Sequence, residues 1–220
     1  MANYLVTGAN RGIGLALVTL LAERGQSVVA VCRGPMPGVS GGVRVERGID
    51  LTDPASCETL AERLQGMTLD VVIHNAGVLL PDSLETFRIE DLRAQLEINA
   101  LAPLMLTRAL LPRLESGGKV GIVTSRMGSI GDNTSGGYYG YRMSKAAVNM
   151  AAVSLANDLR PRGIAVGLYH PGYVRTRMTA GGGEIEPEVA ARGILSHLDA
   201  LSLSESGGFW HATRDGRLVF

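Results

Sequence analysis

The chain has 220 residues, of which 45% are hydrophobic and 5% aromatic, and its formal net charge at pH 7 is zero. This length fits one domain with a large core, and the balanced charge argues against a nucleic-acid or membrane-surface partner. No apolar run reaches the ~20 residues of a membrane span, and no leader pattern precedes the first strand pattern. Cys32 and Cys57 match no metal-binding spacing. We therefore expect a cytoplasmic protein with unpaired thiols and no metal site.

Strand and helix patterns alternate from the first residues to about residue 170. Continuous apolar runs separated by helical runs indicate a parallel sheet covered on both faces. The predicted strands are 4–6, 28–32, one before residue 50, 69–73, 120–124, 164–169 and a short one near Val219. The predicted helices are 13–24, 54–64 with Asp53 as N-cap, 89–114 with a kink at Pro103, 144–159 and one from Pro187. The sequence thus predicts an α/β fold, a single-domain Rossmann-type doubly wound parallel sheet over residues 1–220.

A glycine-rich turn joins the first predicted strand to the first predicted helix. Glycines there permit a tight turn and let a pyrophosphate approach the backbone amides at a helix N-terminus. The turn therefore predicts a dinucleotide site, although its Gly-x-x-x-Gly-x-Gly spacing differs from the Gly-x-Gly-x-x-Gly fingerprint. Its residues are Thr7, Gly8, Ala9, Asn10, Arg11, Gly12, Ile13 and Gly14.

Tyr141 and Lys145 lie four residues apart, and this spacing places both side chains on one face of a helix. A free phenol has a pKa of about 10 and exchanges protons poorly near neutral pH. Because a neighbouring ammonium group favours the phenolate, we expect Lys145 to lower the pKa of Tyr141. The pair is a candidate acid–base device. Tyr138 and Tyr139 have no lysine at this spacing, and we expect them to form pocket wall or surface.

The glycine turn followed by Tyr-x-x-x-Lys resembles the short-chain dehydrogenase/reductase family, and further family markers occur in order along essentially the whole chain. One of them, His74-Asn75-Ala76-Gly77, is similar to the family's Asn-Asn-Ala-Gly. We expect His74 to be a hydrogen-bonded interior residue rather than a ligand. The resemblance implies that, with Tyr141 and Lys145, the dinucleotide contacts Gly8, Asn10, Arg11, Gly12, Ile13, Gly14, Asp50, Leu51, Asn75, Ala76, Gly77, Pro171, Gly172, Val174 and Thr176.

The resemblance also assigns the catalytic roles to Asn99, Ser125, Tyr141 and Lys145. Ser125 and Tyr141 would hold a carbonyl oxygen, and Tyr141 would give its proton to the developing alkoxide. Lys145 would also contact the nicotinamide ribose, and Asn99 would hold a water that returns the proton through Lys145. Ser129 is the alternative serine, because Ser125 precedes Tyr141 by sixteen residues and the loop 131–137 lies between them. Asn75 and Asn99 can also have a structural role, in which their side-chain amides form hydrogen bonds with nearby backbone groups.

The choice of cofactor is indicated by charge at the end of the second strand. An acidic residue there would bind a ribose 2′-hydroxyl and repel a 2′-phosphate. The sequence has Arg33 after Cys32, and Arg11 lies in the glycine turn. Both arginines suit a 2′-phosphate through charge-assisted contacts. We therefore expect NADP(H).

The region after Thr176 is short, which predicts an open site or a small mobile substrate loop at about 177–187. The loop before Tyr141 and the segment 207–210 resemble a small carbonyl-reductase branch of the family that includes the sniffer and C-factor proteins. The leading expectation is an NADPH-dependent reductase of an aldehyde, ketone or quinone. The alternatives are a regulatory dinucleotide-binding protein of the C-factor type and an NADP-dependent alcohol dehydrogenase working in the oxidative direction.

The helix predicted at 144–159 is apolar nearly all round, with Ala, Val, Met and Leu on every side. A helix that lies on a sheet needs only one apolar stripe. Its other side must therefore be covered by another part of the chain or by a second subunit. We expect a homodimer.

Overall fold

The computed structural model describes residues 1–39 and 41–220, and seven strands in it form one parallel sheet in the order β3-β2-β1-β4-β5-β6-β7. The strands are β1 Asn3–Thr7, β2 Ser27–Cys32, β3 Val43–Arg47, β4 Leu69–His74, β5 Leu114–Val123, β6 Ala165–His170 and β7 Phe209–His211. The helices are α1 Gly12–Glu23, α2 Pro54–Arg63, α3 Ile89–Leu96, α4 Ala102–Leu110, α5 Tyr139–Leu159 and α6 Pro187–Ala200. The predicted α/β fold with a doubly wound parallel sheet is confirmed.

Helices cover both faces of this sheet. On one face α1 and α6 pack through fully buried residues such as Leu17 and Ile194. On the other face α2, α4 and α5 contribute Leu60, Leu106 and Val148, which are also fully buried. Because each central strand has apolar neighbours above and below, its sequence reads as a continuous apolar run rather than an alternating one.

The position of the site follows from the strand order. β1 pairs with β2 on one side, where Thr7 lies opposite Val31, and with β4 on the other, where Val6 lies opposite Ile73. The chain therefore adds β2 on one side of β1 and later adds β4 on its other side. In such sheets, ligands bind in the crevice at the carboxyl ends of the strands that flank this reversal.

Several element boundaries differ from the predicted ones. Helix α5 begins at Tyr139 instead of Ser144, so that Tyr141 is helical. Strand β5 begins at Leu114, earlier than the predicted residue 120. The prediction missed this start because an exposed, glycine-containing stretch follows Leu114 and interrupts the apolar run. The last strand is Phe209–His211, whereas Val219 is 66% exposed and outside any element.

The long helical run predicted at 89–114 is three segments. A π-helical turn, Glu97–Leu101, separates α3 from α4, and a 3-10 turn, Leu111–Arg113, ends the run. Pro103 lies in the first turn of α4, where its missing N–H and its ring are tolerated because the wider π turn precedes it. The predicted interruption is confirmed, and it places Asn99 in the π turn.

No helix in the described residues 1–39 and 41–220 is long and apolar enough to span a membrane. Both cysteines, Cys32 and Cys57, are free and buried, as expected.

His74, at the end of β4, is a buried histidine whose ring Nε2 lies 2.8 Å from the hydroxyl oxygen of Thr107. The Thr107 hydroxyl donates its own proton to the carbonyl oxygen of Pro103, so Nε2 is the donor to Thr107. Burial lowers the pKa of His74 to about 4. The interior, hydrogen-bonded role predicted for His74 is confirmed.

We expect His74 to make the fold sensitive to acid between pH 6.5 and 4. The unfolded chain binds a proton on this imidazole below about pH 6.5, whereas the folded protein binds it only near pH 4. The stabilising contribution is complete above pH 6.5 and is lost as the pH falls to 4, by about 3 kcal/mol. Urea unfolding of the wild type and of His74→Asn across this range measures the difference in slope. Equal pH dependence of the two proteins would contradict the assignment.

Candidate active site

The glycine turn after β1 is shaped by close contacts with neighbouring backbone. Gly8 has φ +63°, and a Cβ there would lie 2.8 Å from the Cα of Ala76. A Cβ on Gly14 would lie 2.2 Å from the carbonyl oxygen of Gly8. Gly8 therefore needs glycine for its backbone conformation and for lack of space, and Gly14 needs glycine for lack of space. The turn leaves room beside the first residues of α1, where backbone amides favour an anion.

Asn75 connects the end of β4 to this turn. Its side-chain Nδ2 donates to the carbonyl oxygens of Thr7 at 3.0 Å and Gly8 at 3.3 Å. The main-chain amides of Asn75 and Ala76 both donate to the Thr7 hydroxyl at 3.0 Å. The Asn75 amide group thus has a structural role, and its neighbours line the cleft described below.

Asn99 and Gln95, four residues apart, hold the segment that follows β4. The Asn99 Oδ1 accepts from the amide of Val78 at 2.9 Å, and its Nδ2 donates to the carbonyl oxygen of Val78 at 2.8 Å. Gln95 makes the same pair of hydrogen bonds with Leu80, at 3.0 and 3.3 Å. The Asn99 amide also donates to Ser144 Oγ at 2.9 Å. Two side-chain amides therefore stand in for a neighbouring strand along residues 78–80.

Ser125, Tyr141 and Lys145 meet between the end of β5 and the first turns of α5, and all three are buried. The Ser125 hydroxyl accepts from the amide of Met127 at 3.1 Å and is close enough to Tyr141 to influence its pKa. The Lys145 Nζ donates to the carbonyl oxygen of Val123 at 3.0 Å and lies 5.6 Å from the centroid of the Tyr141 ring. The competing serine, Ser129, instead accepts a hydrogen bond from the amide of Asp132 at 3.2 Å.

The pKa values of this group differ from the expected ones. Burial raises the pKa of Tyr141 to about 12, and the hydrogen bond with Ser125 opposes the rise. Burial lowers the pKa of Lys145 to about 8. The expected lowering of the Tyr141 pKa is therefore wrong, because desolvation disfavours the charged form of both groups. Lys145 lies beside the ring, and it is Ser125 that contacts the hydroxyl. At neutral pH Tyr141 is a protonated phenol.

A cleft of about 690 Å³ runs along the carboxyl ends of the central strands. The predicted residues that line it are Gly8, Asn10, Arg11, Gly12, Ile13, Arg33, Leu51, Asn75, Ala76, Gly77, Tyr141, Lys145, Pro171 and Thr176. Gly14, Asp50, Asn99, Ser125, Gly172 and Val174 were also predicted, and they are not among the residues that line this cleft. The sequence reasoning placed Met178 at the pocket, and it missed as lining residues Val31, Cys32, Gly34, Pro35, Ile49, Val78, Leu79, Leu80, Ile98, Val123, Thr124 and Arg177.

Asp50 illustrates the difference between lining the cleft and supporting it. Its carboxylate accepts from the amide of Thr52 at 3.0 Å and from the Thr52 hydroxyl at 2.8 Å. These hydrogen bonds hold the pKa of Asp50 below its usual range, and the nearby Arg33 has a smaller effect in the same direction. The carboxylate thus shapes the loop that presents Leu51.

The charge of the cleft has one sign. Among the described residues that line it there are four cationic side chains and no Asp or Glu, the cations being Arg11, Arg33, Lys145 and Arg177. An unopposed set of cations in a concave site attracts an anionic ligand. The cleft has the size of a cofactor site, and its glycine cradle leaves space next to a helix N-terminus. The residues present therefore fit a phosphorylated dinucleotide.

Asp82, which the sequence reasoning missed, caps the helix that carries Tyr141. Its carboxylate accepts from the amides of Tyr139 at 2.5 Å and Gly140 at 3.0 Å, and its carbonyl oxygen accepts from the amide of Tyr138 at 3.0 Å. Tyr138 has φ +51°, a left-handed conformation that such contacts must hold. Asp82 and Tyr139 are 57 residues apart in sequence, so no local capping pattern could reveal this cap.

We expect Asp82→Ala to lower the free energy of unfolding by about 1–2 kcal/mol, because the first-turn amides of α5 lose their acceptor. Asp82→Asn keeps an acceptor oxygen and should retain most of the stability. Urea unfolding of the three proteins measures the difference. An alanine variant as stable as the wild type would show that the cap contributes nothing.

The comparisons with known proteins agree with this geometry. The sequence model of the family described as short chain dehydrogenase matches residues 2–186. The chain is 44% identical over 219 residues to 1-hydroxy-2-glutathionyl-2-methyl-3-butene dehydrogenase of Rhodococcus sp. (strain AD45), covering 96% of this chain and 97% of that protein. It is 46% identical over 145 residues to the C-signal protein of Myxococcus xanthus, covering 64% of this chain and 87% of that protein.

Solved structures extend the likeness to the whole chain. The NADPH-bound carbonyl reductase from chicken fatty liver has a TM-score of 0.89 and 30% sequence identity, covering 100% of this chain and 99% of that one. The carbonyl reductase Sniffer of D. melanogaster has a TM-score of 0.90 and 28% identity, with both chains covered completely. The resemblance to a branch with carbonyl reductases and C-factor proteins is thus confirmed. The chain belongs to the short-chain dehydrogenase family.

Proposed function

We propose that the protein is an NADPH-dependent oxidoreductase that reduces the carbonyl group of an aldehyde, ketone or quinone to an alcohol. The observation that carries the proposal is the buried group of Ser125, Tyr141 and Lys145 at a cationic cleft, with the Lys145 Nζ 5.6 Å from the centroid of the Tyr141 ring. Membership of an oxidoreductase family and the likeness to an NADPH-bound carbonyl reductase support it.

In this proposal the protein holds the carbonyl oxygen and supplies its proton. The reduced nicotinamide, when bound, supplies the hydride. Ser125 and Tyr141 donate hydrogen bonds to the carbonyl oxygen, and Tyr141 transfers its proton as negative charge develops there. The raised pKa of Tyr141 keeps the donor protonated at neutral pH, which is the form that reduction requires. Losing one such donor costs ~3 kcal/mol or more of transition-state stabilisation.

Lys145 and Asn99 support the proton donor in different ways. The Lys145 ammonium, 5.6 Å from the centre of the Tyr141 ring, stabilises the tyrosinate that remains after proton transfer. The Asn99 side chain is fully engaged with Val78 and Ser144. We therefore assign any water-holding role of Asn99 to its main-chain carbonyl in the π turn rather than to its amide.

The cofactor assignment depends on the ends of β2 and of the glycine turn. Arg33 and Arg11 would hold the 2′-phosphate, and no Asp or Glu among the described lining residues opposes it. The glycine turn and α1 would hold the pyrophosphate. Leu51, Ala76, Gly77, Pro171 and Thr176 would form the remaining walls, next in sequence to Asp50, Gly172 and Val174 or close to them.

Two further functions are kept because relatives favour them. The Rhodococcus relative is a dehydrogenase of a hydroxylated glutathionyl compound, which favours an NADP-dependent alcohol dehydrogenase working in the oxidative direction. The Myxococcus relative is a C-signal protein, which favours a regulatory dinucleotide-binding role. A regulatory protein has no need of the Ser125–Tyr141–Lys145 arrangement, so we rank reduction first.

We expect purified protein to consume NADPH with a panel of aldehydes, ketones and quinones, and Tyr141→Phe to lower this turnover at least ~100-fold, because the proton donor is lost. Affinity for NADPH should stay within about twofold of wild type, since the ring and Lys145 remain. The decrease in reduced-nicotinamide absorbance measures turnover, and fluorescence titration measures affinity.

Each other outcome of this assay has a distinct meaning. Retained activity of Tyr141→Phe would refute the assigned acid. Faster turnover with NADH would refute the cofactor choice. Tight NADPH binding without turnover of any carbonyl or alcohol would favour the regulatory role, and turnover of alcohols alone would favour the oxidative direction.

We also propose that the chain forms a homodimer through α5. Met143 and Met150 are 50% and 68% exposed on this helix, and Ala147 between them is exposed as well. Leu101, at the end of the π turn, and Leu104, in the first turn of α4, are 50% and 41% exposed. Exposed large apolar side chains on neighbouring segments are typical of a subunit interface.

We expect light scattering after size-exclusion chromatography to give the mass of a dimer for the wild type and of a monomer for Met150→Glu, because a buried unpaired carboxylate disfavours association. Val189→Glu, on the equally helical but separate α6, is the matched control and should leave the dimer intact. A monomeric wild type would contradict the proposal.

Three smaller assignments complete the proposal. We propose that residues 1–220 act as one domain and that the loop 177–187 closes over the substrate. Met178 at the start of this loop lines the cleft, which supports that role. We propose a cytoplasmic location, supported by two free cysteines.

A further inference from the structure

Arg177 is a cleft-lining arginine that none of the roles above uses. It follows Thr176 on the segment between β6 and α6, and its side chain is exposed to the cleft that Tyr141 and Lys145 also line. Within residues 1–39 and 41–220 its guanidinium forms no ion pair and no hydrogen bond. A charged group of this kind is available to a ligand.

The neighbouring arginines are already neutralised. Arg175 pairs with Glu186 and also donates to the carbonyl oxygen of Gly183. Arg126, after the active-site serine, pairs with Asp132 at 2.7 Å. The contrast is informative because all three arginines belong to segments at the same end of the sheet. Of these three arginines, only Arg177, which lines the cleft, has no carboxylate partner among the described residues.

The backbone that presents Arg177 is fixed by Thr179. The Thr179 hydroxyl lies 2.8 Å from the carbonyl oxygen of Val174, and it accepts from the amide of Thr176 at 3.1 Å. These contacts hold the 3-10 turn Arg177–Thr179 in place. The fold thus fixes the backbone position of Arg177, whereas its guanidinium is free to adjust to a ligand.

This turn faces the N-terminus of α1. The methyl group of Thr176 lies 3.3 Å from the position that a Cβ on Gly12 would occupy. Gly12 is the first residue of α1, and Arg11 at its N-cap offers no side-chain hydrogen bond to the first-turn amides. An anion beside those amides would therefore have the helix N-terminus on one side and the segment that carries Arg177 on the other.

We propose that Arg177 contacts the pyrophosphate of the dinucleotide from the side opposite the glycine turn. The inference rests on the proposed dinucleotide site, and it adds a phosphate contact that is common to NADPH and NADH. Its role differs from that of Arg33 at the end of β2, which is assigned to the 2′-phosphate found only in NADPH. The two arginines therefore predict opposite patterns of ligand selectivity.

The test measures dissociation constants of the purified full-length protein for NADPH, NADH and adenosine 2′-monophosphate at one ionic strength. We expect Arg177→Gln to weaken NADPH and NADH equally, by roughly 10-fold, and to leave adenosine 2′-monophosphate unchanged. Arg33→Gln should weaken NADPH and adenosine 2′-monophosphate and spare NADH. Arg175→Gln, whose arginine is ion-paired and outside the cleft, is the matched control and should leave all three constants unchanged.

A salt titration and a substrate pair complete the test. The NADH affinity of the wild type should fall more steeply with salt than that of Arg177→Gln, because one ionic contact is lost in the variant. Unchanged NADH affinity of Arg177→Gln would overturn the proposal. So would a variant with unchanged affinities whose kcat/KM falls for 4-carboxybenzaldehyde but not for benzaldehyde, since Arg177 would then bind the substrate.

The outcome also separates this inference from the proposed function. Wild-type protein that binds NADPH without reducing any carbonyl would refute the reductase, while the binding constants would still decide the role of Arg177. Wild-type protein that binds neither dinucleotide would overturn both.

Discussion

The hydrogen bonds between Thr7 and the Asn75–Ala76 segment are the contacts on which the rest of the site depends. They hold the carboxyl ends of β1 and β4 together at the point where the order of the sheet reverses. The glycine turn follows one of these strand ends, and residues 76–80 follow the other. Because the parallel register places all carboxyl ends at one edge, β5 and β6 deliver Ser125 and Pro171 to the same crevice. A small set of hydrogen bonds thus aligns parts of the chain that are far apart in sequence.

Burial determines the pKa values of the proposed catalytic group more than the Tyr–Lys spacing does. Spacing places Lys145 beside the Tyr141 ring, but desolvation raises the pKa of the phenol to about 12 and lowers that of the lysine to about 8. A protonated phenol beside an ammonium of lowered pKa suits the proton delivery that we propose for these two residues.

Much of the fold and of the site could be predicted from the sequence because the relevant signals are local. Apolar runs revealed the parallel strands, and glycines marked the turn at which backbone must approach backbone. The start of α5 could not be predicted, because its cap is Asp82, which comes from a distant segment. Gln95 and Arg177 were missed for a similar reason. Their roles depend on which backbone or cleft they face, and no periodic pattern encodes that. The pKa of Tyr141 was mispredicted because spacing records a neighbour but not the loss of water around it.

The anchoring of α5 to Asp82 separates the catalytic geometry from the length of the preceding loop. Ser125 is placed by the end of β5 and Tyr141 by a helix whose first turn is held from another part of the chain. Residues 131–136 between them are exposed, and the Arg142 side chain donates to Ser135 Oγ at 2.9 Å and to the carbonyl oxygen of Gly137 at 3.0 Å. Because loop closure becomes only slowly more costly as a loop lengthens, residues can be gained or lost there without moving the two hydroxyl groups apart. The loop is therefore the part of the molecule where evolution or design can change the surroundings of the cleft while Tyr141, the proposed proton donor, stays in place.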